Sequence, residues 1–153
     1  MTSYVAVVGP SRAEPHEAET AEAVGRAVAE RGGVLICGGL GGAMEAACRG
    51  AKLAGGTTVG ILPGPDRAAA NEFVDIAVAT GLGEARNAIV VNAADAVIAI
   101  AGAYGTLSEI ALALAAGKRV IGLDTWALAT ADGPDEAIVR AVSPAEAVEL
   151  ALH

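Results

Sequence analysis

Two glycine-rich turns, each between a short apolar segment and a helix-like segment, constrain this chain most. Residues 38–44 follow the apolar run 34–37, and residues 102–106 follow the apolar run 96–100. Glycine lets the backbone bend sharply and brings its N–H groups close to a ligand. A helix that starts at such a bend adds unpaired N–H donors and the positive end of its dipole. Two such turns therefore predict a ligand that carries a phosphate or another anionic group.

Apolar and helix-like segments alternate along the whole chain. We expect strands at 4–8, 34–37, 57–62, 74–79, 96–100, 120–123 and 138–142, helices at 15–31, 42–54, 84–94, 106–116 and from 144 onward, and loops at 66–72 and 124–136. Uniformly apolar strands between helices are typical of a parallel sheet covered on both faces. We therefore predict an α/β fold: a single doubly wound, three-layer Rossmann-like domain over residues 1–153, with a mostly parallel sheet. Ligands of such folds bind beyond the carboxyl ends of the strands, where both glycine turns and residues 9–12 lie.

The chain is unusually apolar, with 54% hydrophobic and 18% charged residues. No apolar run approaches the roughly 20 residues of a membrane span, so we predict no membrane partner. The first residues contain no basic leader, so we also predict no signal peptide. The predicted helices 84–94 and 106–116 are apolar on nearly every side, which is typical of helices buried all round. We therefore predict a homo-oligomer, a dimer or tetramer, assembled through these two helices.

Charge and cysteine content limit the partners. The formal net charge is −8, and no basic stripe of the kind that binds nucleic acid phosphates is present, so we predict no nucleic acid partner. Cys37 and Cys48 are the only cysteines, which favours a reduced, cytoplasmic protein. Neither has the neighbours of a metal site, so we predict no metal and no required cofactor.

The candidate ligand-binding residues lie at the predicted strand ends, where backbone N–H groups or side chains can hold an anion. They are Gly9, Ser11, Arg12, Gly39, Gly41, Gly42, Met44, Gly102, Gly105 and Thr106. The first turn approaches the dinucleotide fingerprint, but Met44 stands where the third glycine belongs. A nicotinamide dehydrogenase is therefore disfavoured. For Arg12, a ligand contact and a solvated surface position are equally compatible with the sequence.

Arg86 and Glu109 each have two interpretations from the residues alone. Glu109 has the spacing of a capping box with Thr106, so it either caps its helix or faces the cleft as a base or ligand-binding group. Arg86 lies in the first turn of a predicted helix, where a cation is unfavourable for the helix dipole. It either pairs with Glu109 or a ligand phosphate, or it is a surface arginine.

Segments 38–44, 85–87, 94–98, 102–110 and 117–120 together resemble the LOG-like Rossmann family. That family includes the LONELY GUY cytokinin-activating phosphoribohydrolases and the molybdenum cofactor carrier proteins. In the phosphoribohydrolases, a helical arginine and the glutamate of a Pro-Gly-Gly-x-Gly-Thr-x-x-Glu motif split the base from a nucleoside 5′-monophosphate. The resemblance places Arg86 and Glu109 at these catalytic positions, with Gly102, Gly105 and Thr106 on the phosphate side.

The sequence departs from the phosphoribohydrolase pattern at three positions, two in that motif and one beside the arginine. Ala101 and Ala103 replace its proline and second glycine, and Asn87 replaces the lysine that usually follows the arginine. These changes resemble the molybdenum cofactor carriers, which bind a phosphate-bearing pterin without chemistry. The resemblance implies a binder of a small phosphorylated ligand, either a nucleotide or a molybdopterin-type cofactor. The alternative is a phosphoribohydrolase that cleaves the N-glycosidic bond of cytokinin-type nucleoside 5′-monophosphates.

Overall fold

A computed structural model describes residues 1–153 and contains nine strands and five helices. The strands are β1 (Tyr4–Val8), β2 (Val34–Cys37), β3 (Thr57–Leu62), β4 (Ile76–Ala79), β5 (Ala96–Ile100), β6 (Arg119–Leu123), β7 (Leu128–Thr130), β8 (Gly133–Asp135) and β9 (Val139–Arg140). The helices are α1 (Pro15–Glu30), α2 (Ala43–Leu53), α3 (Arg86–Ala93), α4 (Tyr104–Ala115) and α5 (Pro144–Leu152). No helix is both long and apolar enough to cross a lipid bilayer.

Seven strands form one sheet in the order β4-β3-β2-β1-β5-β6-β9, and every neighbouring pair in it is parallel. The chain runs outward from β1 to β4 and then returns to place β5 beside β1. The strand order therefore reverses between β1 and β5, and a crevice is expected at their carboxyl ends. The predicted three-layer Rossmann-like fold is confirmed.

Each face of the sheet carries its own hydrophobic core because successive side chains of a strand point to opposite faces. Val5 and Val7 pack with α1, α2 and α5, whereas Ala6 and Val8 pack with α3 and α4. Helices α1 and α2 approach closely at Gly25, where a Cβ atom would collide with the carbonyl of Ala47. This close contact fixes the position of α2, whose first turn faces the crevice.

The structure differs from the predicted elements at several places. The predicted strand 138–142 is only the two-residue β9. Strand β4 begins two residues later than predicted, because the Asp75 carboxylate accepts hydrogen bonds from the Thr58 N–H at 3.0 Å and from Lys52 at 2.9 Å. The predicted loop 124–136 contains the antiparallel ribbon β7–β8. Helix α4 begins at Tyr104 instead of residue 106.

Helices α3 and α4 are not buried all round in the single chain. Ile110 and Ala113 of α4 face the core, whereas Leu112 is 37% exposed. Ile89 of α3 is also 37% exposed, and at the sheet edge Ile76 and Val78 are exposed. The register of β4 with β3 places Ile76 and Val78 on the sheet face that carries α3 and α4. We call Ile76, Val78, Ile89 and Leu112 the apolar face.

Candidate functional site

A cavity of about 280 Å³ lies at the carboxyl ends of the central strands, where the strand order reverses. It is lined by Val7, Val8, Gly9, Ser11, Gly38, Leu40, Met44, Pro63, Glu84, Arg86, Asn87, Ala103, Gly105, Thr106 and Glu109. The loops after β1, β2, β3 and β5 all contribute, so segments far apart in sequence converge on one site.

Three helices begin at the cavity. Met44 lies in the first turn of α2, Arg86 and Asn87 begin α3, and Gly105 and Thr106 lie in the first turn of α4. The first N–H groups of a helix have no carbonyl partner within it. At α2 and α3 the first of these donors is already engaged, the Ala43 N–H by the Pro10 carbonyl and the Arg86 N–H by the carbonyls of Gly83 and Glu84. The positive ends of the helix dipoles are therefore what favours an anion in the cavity.

Arg86 is the one basic residue that lines the cavity. Its side chain is only 8% exposed, and its Nε atom is buried without a hydrogen-bond partner. None of the three ion pairs of the chain includes it. A buried guanidinium without an acceptor is costly, and a phosphate or carboxylate supplies the missing acceptors. The unpaired arginine therefore points to an anionic ligand.

The room for Arg86 comes from Gly38, which follows β2. A Cβ atom at Gly38 would collide with the Arg86 guanidinium and would lie 2.7 Å from the Met44 sulfur. The guanidinium therefore rests directly on the backbone of the first glycine turn. Any larger residue at position 38 must displace the charged group from its place in the cavity.

Thr106 provides a second unpaired polar group. It is 2% exposed, and its Oγ1 atom is buried without a hydrogen-bond partner. Gly102 has φ of +130° and packs so closely that a Cβ atom there would lie 2.7 Å from the Thr106 Cβ. A buried hydroxyl without a partner costs free energy, so its partner is expected to be a ligand atom.

Glu109 does not cap its helix. Ala103 is the N-cap of α4, no side chain caps it, and the Leu107 N–H donates to the Ala103 carbonyl at 3.1 Å. The Glu109 carboxyl instead lines the cavity and is 8% exposed. Burial raises the pKa of Glu109 from its ordinary value of 4.5 to about 7, although the Arg86 charge acts in the opposite direction.

The structure brings most of the sequence-predicted site residues to the cavity. Those that line it are Gly9, Ser11, Met44, Arg86, Gly105, Thr106 and Glu109. Those that do not are Arg12, which is exposed, and Gly39, Gly41, Gly42 and Gly102. The part of each residue in ligand binding stays a prediction.

The first turn is held largely by the protein itself. The Gly39 N–H donates to the Cys37 sulfur at 3.3 Å, and the Gly39 carbonyl accepts from the Asn71 N–H at 2.9 Å. The Ala43 N–H donates to the Pro10 carbonyl at 3.0 Å. Gly42 has φ of +64°, and a Cβ atom there would collide with Pro10. These glycines therefore shape the turn, which reaches the cavity through Gly38, Leu40 and Met44.

Cys37 and Cys48 form a buried thiol pair behind this turn. Their sulfur atoms are 3.4 Å apart, and both cysteines are free. The hydrogen bond between the two thiols lowers the pKa of Cys37, and the same bond together with burial raises the pKa of Cys48. Neither cysteine lines the cavity.

Several lining residues were not nominated from the sequence. Four of them lie inside the segments that resemble the LOG-like family, so the sequence could have identified them: Gly38, Leu40, Asn87 and Ala103. The other lining residues, Val7, Val8, Pro63 and Glu84, become part of the site only because the sheet brings the ends of β1 and β3 and the start of α3 together.

Comparison with known proteins identifies close structural relatives. The molybdenum cofactor binding protein of Rippkaea orientalis is 38% identical, with a TM-score of 0.89 over 98% of this chain and 95% of that one. The molybdenum cofactor carrier protein of Chlamydomonas reinhardtii is 33% identical, with a TM-score of 0.85 over 98% of this chain and 96% of that one.

A cytokinin riboside 5′-monophosphate phosphoribohydrolase of Mycobacterium marinum is 35% identical over 121 residues, which are 73% of this chain and 65% of that protein. The model of the SLOG cluster4 family matches residues 2–148. This match spans nearly the whole sequence, including every residue that lines the cavity. The chain therefore belongs to the SLOG cluster4 family, a LOG-like family.

Proposed function

We propose that this protein binds a small phosphorylated ligand, a nucleotide or a molybdopterin-type cofactor, in the cavity at the carboxyl ends of β1 and β5. It binds this ligand without catalysing a reaction of it. The observation that carries the proposal is the unpaired Arg86 guanidinium, which lines the same cavity as a second unpaired donor, the Thr106 hydroxyl. Both groups need acceptor oxygens, and a phosphate supplies several.

An anionic ligand must be attracted by positive groups in the cavity itself and not by the overall charge of the protein. The chain has a formal net charge of −8, so its overall field does not attract anions. Attraction must therefore come from Arg86 and from the starts of α2, α3 and α4. The similarity to the molybdenum cofactor proteins of Rippkaea and Chlamydomonas supports a carrier-like binder.

The binding proposal is tested by calorimetric titration with AMP and by native mass spectrometry of the purified protein for a co-purified ligand. We expect Arg86→Ala to weaken AMP binding by about 10-fold or more, since a hydrogen bond to a charged group contributes roughly 1.5–3 kcal/mol. Arg31→Ala, at an exposed arginine after α1, is the matched control. Equal affinity of both variants for AMP would refute the role of Arg86.

The alternative function is phosphoribohydrolase activity. It is favoured by the presence of Arg86 and Glu109 in one cavity and by the similarity to the Mycobacterium marinum enzyme. In that reaction, a carboxylate stabilises an oxocarbenium-like sugar or activates water, while the arginine holds the phosphate. Asn87 and Ala103, which depart from the phosphoribohydrolase motif, favour the binder.

Incubation with AMP and with N6-modified AMP, followed by chromatography for free base, separates the two functions. The binder releases no base, whereas the enzyme releases base at a rate that Glu109→Ala abolishes. Release by the wild-type protein that disappears in this variant would overturn the proposed non-catalytic function.

We further propose that a second copy of the chain covers the apolar face, as the composition of the two helices predicts. An exposed apolar patch on a small protein commonly marks a protein contact. Light scattering at micromolar concentration is expected to give a dimer or tetramer, and Leu112→Glu is expected to dissociate it. Leu53→Glu changes a leucine that is 67% exposed on α2, on the opposite side of the sheet, and is the matched control. A monomeric wild-type protein would refute the assembly.

A further inference from the structure

Glu109 is a buried carboxyl group in the cavity, and the contacts of Arg86 and Thr106 with a phosphate do not explain why it is there. On the basis of the ligand-binding function proposed above, we propose that Glu109 holds the ligand as a neutral carboxylic acid, which donates a hydrogen bond to an oxygen of the phosphate ester. Ligand binding then takes up a proton from solvent onto the Glu109 carboxylate. The site thus selects phosphate esters through three donors: the Arg86 guanidinium, the Thr106 hydroxyl and the Glu109 acid.

The geometry of α4 supports this arrangement. Thr106 and Glu109 are three residues apart on one helix, so their side chains lie on the same side about 5–6 Å apart at Cβ. Both are buried and line the cavity. An oxygen of a phosphate held by Thr106 is therefore within reach of the Glu109 carboxyl. An ionised carboxylate at that distance has no proton to donate and repels the phosphate.

The charged and titratable groups around Glu109 come from three other segments. Arg86 begins α3, Glu84 lies just before α3 and lines the same cavity, and Cys37 ends β2 behind the first turn. Arg86 is the one cation among them, and it forms no ion pair with Glu109. A bound phosphate engages the Arg86 charge and adds negative charge beside Glu109, and both changes favour the neutral acid.

The titration behaviour of the free protein agrees with this assignment. Burial raises the pKa of Glu109 to about 7 in the free protein, and a neighbouring phosphate raises it further, so the bound acid stays neutral at a pH where the free group is a carboxylate. Above pH 7, binding must therefore be accompanied by proton uptake.

The test is calorimetric titration with AMP at pH 8 in two buffers of different ionisation enthalpy. At this pH the AMP phosphate is already a dianion, because its second pKa is about 6, so it contributes no proton change of its own. We expect wild-type protein to take up close to one proton per AMP bound, and Glu109→Gln to take up none. Because the glutamine is a neutral donor at every pH, this variant should bind AMP about tenfold more tightly than wild type at pH 8 and equally at pH 6.

Glu149→Gln is the matched control, since it removes an exposed carboxylate of α5 outside the cavity and should leave the proton uptake unchanged. AMP binding that depends on Arg86 but takes up no proton in the wild-type protein would overturn the role of Glu109 and leave the proposed function intact. Weaker AMP binding by Glu109→Gln than by wild type at pH 8 would also overturn it. If no variant binds AMP or inorganic phosphate, both proposals are wrong.

Discussion

Replacing Glu109 by glutamine should stabilise the protein without ligand, and only at high pH. Glu109 has a pKa of about 7 in the folded state against an ordinary value of 4.5, and it is 8% exposed. A raised folded-state pKa means that its favourable contribution is fully present below about pH 4.5. The contribution is lost as pH rises through about 7, because the folded state must then hold a buried carboxylate.

The size of the effect follows from the pKa shift. One pKa unit corresponds to about 1.36 kcal/mol, so ionisation of Glu109 lowers the free energy of unfolding by about 3 kcal/mol above pH 8. Glu109→Gln keeps the size and polarity of the side chain but cannot ionise. We therefore expect the variant to be about 3 kcal/mol more stable than wild type at pH 8.5 and nearly equal at pH 4.

Urea denaturation followed by the fluorescence of the single tryptophan, Trp126, measures this difference at a fixed protein concentration. Trp126 stacks on Tyr104 at the start of α4, with ring centroids 5.8 Å apart, so its signal reports on the part of the fold that carries Glu109. Glu149→Gln, on the exposed side of α5, is the control and should change stability little at either pH. A stability difference for Glu109→Gln that is the same at pH 4 and pH 8.5 would show that ionisation is not its cause.

Three further predictions concern glycines and thiols. Gly38→Ala should displace the guanidinium that rests on it and weaken AMP binding in calorimetry by about 10-fold or more, whereas Gly64→Ala, where an added Cβ meets no atom within 4 Å, should leave affinity unchanged. Gly25→Ala should lower the free energy of unfolding in urea by about 1–3 kcal/mol or more, because α1 must move away from α2; unchanged stability would contradict that contact. Cys37 and Cys48 should react slowly with Ellman's reagent in the native protein and rapidly in urea, since both are buried; fast native reaction would contradict their burial.

Some features of this fold follow from short stretches of sequence. The alternation of apolar strands with helices predicts the parallel sheet, because burial on both faces requires strands that are apolar throughout. The start of α5 is equally local: Ser143 accepts a hydrogen bond from the Glu146 N–H at 3.2 Å, and Pro144 occupies the first helical turn. The glycine turns also predict which end of the sheet carries the site.

Other features depend on distances between residues that are far apart in the chain. The sequence alone left Glu109 open as a helix cap or a site residue. Tertiary packing decides between them, since α4 begins at Tyr104 and the carboxyl enters the cavity. Likewise, the sequence predicted ligand contacts for Gly39, Gly41 and Gly42 of the first turn but not for Gly38. In the folded protein Gly39 and Gly42 maintain the shape of the turn, whereas Gly38 leaves space for the Arg86 guanidinium.

The amino-acid sequence by itself therefore determined most of the secondary structure, the layered α/β architecture and the edge of the sheet at which a ligand is expected, but not the β7–β8 ribbon. Hydrophobic periodicity and turn-forming residues act between near neighbours in the chain, so these features depend only on short stretches of sequence. The tertiary structure alone decided that Arg86, Thr106 and Glu109 share one cavity and that the first two lack partners within the protein. Those facts arise from the crossing of the chain from β4 back to β5, which sets the burial and spacing of residues that the sequence keeps apart.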